Sequence, residues 1–111
     1  MKEPAGDRSH RGAHALADAE RLLEQAERGD PEAARSAAQA ALRALLLEWT
    51  EQPRGERVVD LLMQAAETDD TLAEFRSDAL TLDGHIFETP GDAYERAKVF
   101  VDAARGRLAN I

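Results

Sequence analysis

"DPEAARSAAQAALRALLLEWT", residues 30–50, is the stretch on which the fold turns. Asp30 offers a side-chain oxygen to the first amides of a helix, and Pro31 suits the first helical position, where its missing N–H costs nothing. Ala34, Ala38, Ala41, Leu42, Leu45 and Trp49 then recur every three or four residues, and Leu46 and Leu47 widen the stripe. Alanine fills the first half and leucine the second. Small side chains let neighbouring helices approach closely, so this segment is expected to be the central, most buried helix.

Working outward, Gly29 ends an earlier helix expected over residues 13–28, with Leu16, Ala19, Leu22, Leu23 and Ala26 on one face. Residues 1–12 are polar and broken by Pro4, Gly6 and Gly12, which is the pattern of a disordered tail. On the other side, Gln52-Pro53-Arg54-Gly55 reads as a turn. A third helix is expected over 56–67. Thr71 and Glu74 have capping-box spacing and predict the start of a fourth, while Asp92 and Glu95 repeat that spacing at the start of the last. No segment alternates at period two. Short connections favour antiparallel neighbours. The expected fold is therefore all-α: a tail over 1–12, then an up-and-down antiparallel bundle of four main helices plus one shorter helix over 13–111.

Composition narrows the function. The chain has 111 residues, no cysteine and a net charge of −8 from 22 acidic and 14 basic residues. Disulfides, zinc fingers and thiol nucleophiles are excluded, and a reducing cytoplasm is the expected compartment. No apolar run reaches the ~20 residues of a membrane span. The acidic balance and the scarcity of aromatic residues argue against a broad nucleic-acid face or a base-stacking platform.

Candidate sites are few. His85 lies two residues from Asp83 in "LDGHIFETPGDAYERA", residues 82–97, and could act as a general base with an orienting carboxylate, or simply close a helix end. Arg35, Gln39 and Arg43 fall on one face of the central helix and could meet a phosphate, a partner or a second subunit. His10 and His14 are spaced for a shared helical face but sit in or beside the tail with no third ligand, so no metal is expected. Trp49 fits a core anchor. Arg105 and Arg107 complement the dipole at the end of the last helix, which leaves Arg96 and Lys98 unassigned.

The order of segments resembles the HEPN domain, a helical nucleotide-binding domain often paired with a minimal nucleotidyltransferase. The resemblance is carried by L-x-x-A-x-x-L-L-x-x-A in the first helix and by residues 39–46, "QAALRALL". Pro53-Arg54-Gly55, Asp60-Leu61-Leu62 and Leu82-Asp83 follow in order, then a proline-containing loop and an alanine-rich last helix. It implies a bundle that dimerises side by side. Some members are metal-independent ribonucleases of toxin–antitoxin systems, with an arginine and a histidine separated by four to six residues near the last helices. Here eight residues separate Arg76 from His85, while Arg8 and His14 have five between them but lie at the wrong end. The loop before the last helix reads Glu88-Thr89-Pro90-Gly91-Asp92 in place of an Arg-Tyr-Pro-like stretch.

The expected function is thus a non-catalytic binding or regulatory protein: a homodimer, without cofactor, partnering a nucleotidyltransferase-type protein and associated with nucleotide or RNA. Its expected ligand- or partner-binding residues are Arg35, Gln39, Arg43, Asp83 and His85. The alternatives are a metal-independent ribonuclease toxin, using His85 and an arginine across a dimer interface, and a structural helical adaptor.

Overall fold

A computed structural model describes residues 11–49, 51–84, 86 and 88–108, except for the side chains at positions 11, 13 and 90. His10, His85 and most of the expected tail lie outside these residues. The described part is all-α. Helix α1 spans Arg11–Glu27, α2 Pro31–Glu48 and α3 Val58–Thr68, followed by a 3-10 helix over Asp70–Phe75, α4 over Arg76–Gly84 and α5 over Pro90–Leu108. Three helices are long and two are short. Arg11 and Gly12 belong to α1, two residues ahead of the helix start expected at residue 13.

Helix α2 is the hub. Ala33, Ala34, Ala37, Ala38, Ala41, Leu42, Ala44, Leu45 and Leu46 are all buried, and α1, α3 and α5 pack around it. Asp30 caps it as expected, accepting from the amides of Glu32 at 3.1 Å and Ala33 at 3.3 Å. Helix α1 folds back along α2, so that its Gly12 N–H donates to Glu48 Oε1 at 3.2 Å. The approach there is tight. A Cβ on Gly12 would lie 2.9 Å from the Ala44 carbonyl oxygen.

Two helix starts differ from expectation. Thr71 and Glu74 do not form a capping box. Asp69 takes that role, accepting from the Thr71 amide at 3.2 Å and the Thr71 hydroxyl at 2.6 Å, and it opens the 3-10 helix rather than an α-helix. Helix α5 starts at Pro90, and the Thr89 hydroxyl accepts from the Asp92 amide at 3.1 Å, so Asp92 lies inside the first turn. In both places a polar residue two or three positions upstream reaches the free amide first.

The core runs from Leu23 and Ala26 of α1 through α2 to Leu61, Leu62, Leu72, Leu82, Phe100 and Val101. Phe75 meets Phe100 edge to face at 5.9 Å between centroids, a favoured aromatic geometry. Trp49 packs half-buried against this core, as an anchor would. No helix among the described residues is long and apolar enough to cross a membrane.

Candidate functional site

The start of α3 takes both of its capping bonds from a distant residue. Arg57, its N-cap residue, makes no side-chain capping bond, and a helix start leaves amide donors that must find acceptors. Asp83, at the far end of α4, supplies them. Its Oδ1 accepts from the Val58 amide at 2.8 Å and its Oδ2 from the Val59 amide at 2.9 Å. Arg35 of α2 adds its Nε at 3.4 Å from Oδ1. The Asp83 side chain is only 9% exposed and that of Arg35 28%. One carboxylate therefore ties α2, α3 and α4 together. Leu82, beside it in sequence, is fully buried and fixes the position of α4.

Gln39, one turn after Arg35, donates its side-chain amide to the Glu56 carbonyl. The Arg35–Gln39 face thus turns inward onto the start of α3 and the loop before it. Gln64 holds the same loop from the other side. It accepts from the Arg54 amide at 2.8 Å and donates to the Gln52 carbonyl at 2.9 Å. The Thr68 hydroxyl donates to Glu51 at 2.6 Å. Gly55 takes φ 90°, a left-handed conformation that permits this tight path.

The structure therefore brings together three of the residues singled out from sequence, Arg35, Gln39 and Asp83. Arg43 lies half-buried further along α2, and its side chain makes no hydrogen bond or ion pair among the described residues. The carboxylate that would orient His85 is engaged by α3 and Arg35. His14 lies exposed on α1. No group of acidic or histidine side chains among the described residues is placed to hold a metal, and every buried side-chain nitrogen or oxygen there has a partner.

The bases of α5 are paired. Arg96 bonds Asp78 at 2.8 Å and Asp92 at 3.3 Å, and Lys98 bonds Asp102 at 3.0 Å. Arg105 joins Glu20 of α1 at 2.8 Å, while Arg107 joins Asp69 at 2.6 Å and the Thr71 hydroxyl at 2.9 Å. The Thr71 hydroxyl, and then the Arg107 guanidinium, hold the Asp69 carboxyl below the usual aspartate range. Asp102 pushes the Lys98 ammonium up, chiefly through its hydrogen bond.

Surface grooves among the described residues were not anticipated, and two of them stand out by their lining. One, of about 360 Å³, lies between α1 and α5 beside Glu20, Glu24, Glu27, Tyr94 and Arg105. The other, of about 380 Å³, lies beside α4 and is lined by Arg76, Ser77, Leu80, Thr81 and Ile86. The signal for the second was present in sequence. Leu80 falls off the inward stripe of Leu72, Phe75, Ala79 and Leu82, and Ile86 stands in a polar loop.

No protein-family model matches the sequence, and neither a curated protein nor a solved structure matches it.

Proposed function

We propose that this chain is a non-catalytic HEPN-like binding or regulatory protein of the cytoplasm, dimeric, with a nucleotidyltransferase-type protein as partner and nucleotide or RNA as the associated ligand class, in a toxin–antitoxin-like setting. The observation that supports a binding role over a catalytic one is the state of Asp83. Both of its oxygens accept backbone amides, and Arg35 shares one of them. A carboxylate committed in this way is a structural clasp. Three of its roughly four acceptor sites are taken, which fixes its position on the cap of α3 rather than on a histidine. The support for the HEPN-like part of the reading is the resemblance in segment order.

The test is a native pull-down from the source cell, with bound proteins identified by mass spectrometry and nucleic acid extracted from the same eluate. A stoichiometric nucleotidyltransferase-type protein is the expected result. Metal-free cleavage of RNA by the purified protein, lost in His85→Ala, would replace this reading with the ribonuclease. A monomer in light scattering at micromolar concentration would remove the dimer. Failure of every nucleotide to raise the melting temperature, together with an empty pull-down, would leave a structural adaptor.

A further inference from the structure

Beyond that reading, the groove beside α4 has a chemistry of its own. The described surface exposes three large apolar side chains, Met63, Leu80 and Ile86. Two of them, Leu80 at 48% and Ile86 at 74% exposed, share this groove. Isolated exposed leucines are ordinary, but here two aliphatic side chains stand together in one groove with polar groups at its rim. The patch is held in place. The Ile86 amide donates to the Thr81 carbonyl at 3.1 Å, which closes the end of α4. The Ile86 side chain lies over Gly84, with its Cδ1 3.1 Å from where a Cβ would stand.

Arg76 sits one helical turn before Leu80 on the same face. The guanidinia of Arg21, Arg35, Arg54, Arg57, Arg96, Arg105 and Arg107 are each paired with a carboxylate of this chain. The Arg76 guanidinium makes no hydrogen bond or ion pair among the described residues, and the Ser77 hydroxyl is likewise unengaged there. A free cation and a free hydroxyl therefore border an aliphatic patch, on a molecule whose net charge is −8.

We propose that this groove docks a segment of a partner protein that presents a carboxylate about one helical turn from a leucine-like side chain. The carboxylate pairs with Arg76, and the aliphatic group covers Leu80 and Ile86. Charge complementarity selects the acid. The groove's form selects a polypeptide, because a space of about 380 Å³ open to solvent seats a few side chains but leaves a long acyl chain wet. This is the helix-in-groove mode of recognition.

The probe is the peptide Ac-Glu-Leu-Leu-Glu-Glu-Leu-Leu-Glu-Glu-Leu-amide, titrated in 0.15 M NaCl into the full chain labelled with nitrogen-15. The expected result is saturable shifts confined to the amides of Ser77, Leu80, Thr81, Ile86 and their neighbours. Arg76→Glu should weaken binding about tenfold or more, as loss of a charge-assisted bond does. A peptide with glutamine for glutamate should lose as much. Arg76 and Leu80 are exposed, and circular dichroism checks that Arg76→Glu and Leu80→Ser keep the native helix content. No saturable shift, shifts centred elsewhere, or equal binding by Arg76→Glu would overturn the proposal. So would shifts produced by dodecanoate micelles and not by the peptide, which would assign the groove to a lipid.

Discussion

Asp83 shows how much can rest on one side chain. Its removal strands two amides at the start of α3 and frees Arg35 from its acceptor. Asp83→Ala should therefore cost about 2–3 kcal/mol, at the upper end for a partly buried, charge-assisted set of bonds, read as a lower urea midpoint at unchanged slope. A loss within about 0.5 kcal/mol, the usual range for surface changes, would mean that water replaces the cap. Asp69 adds a pH dependence whose sign follows from its lowered pKa. Unfolded, it titrates near the usual value of about 3.9. Its contribution is complete above that value and disappears as pH falls through the lower folded one. The stability gap between wild type and Asp69→Asn should thus be steady from pH 7 to 5 and shrink towards pH 3. A gap of constant size across that range would refute the assignment. Neither residue's role was legible in sequence. The partners of Asp83 lie 24 and 25 positions away, beyond any local pattern. Asp69 sits just ahead of the more familiar Thr71–Glu74 spacing and takes the amide that pattern would claim.

Among the elements, α2 was the most legible because its signals are local: the Asp30-Pro31 cap and an unbroken helical stripe. Its free-looking polar face was not. Arg35 and Gln39 have the spacing of a solvated stripe, yet they turn onto the start of α3, because the short loop 51–57 brings α3 against α2 and leaves backbone groups there to be satisfied. Helix junctions also define where side chains are forbidden. Gly55→Ala should destabilise by about 1–3 kcal/mol, since the residue must hold φ 90° and its Cβ would come within 2.7 Å of Asp60 Cβ. Gly12→Ala tests a different constraint. Its backbone is helical, so the whole penalty comes from driving α1 away from Ala44 and Glu48, by about 1–3 kcal/mol. Thermal melts of the two variants check both values. If Gly12→Ala melted above wild type, through its better helix propensity, the close α1–α2 approach would be disproved.

For the whole molecule, α1, α2 and α5 make one body, and the limb from α3 to α4 is fastened to it at Phe100, Arg96, Arg107 and Arg35. Phe100→Ala removes the apolar fastening and should cost about 3–5 kcal/mol, as deletion of a buried aromatic does. Urea unfolding followed by far-ultraviolet dichroism and by Trp49 fluorescence should shift together. A shift in only one signal would mean that the limb unfolds separately. The fold class was legible in the periodicity of individual helices, whereas the fastenings join residues far apart in the chain. One of these fastenings governs order in time. During synthesis the start of α3 leaves the ribosome 25 residues ahead of the aspartate that closes it. Until that residue emerges, the two amides lack their native acceptor, so a nascent chain halted in the 3-10 helix carries α3 with its leading end open.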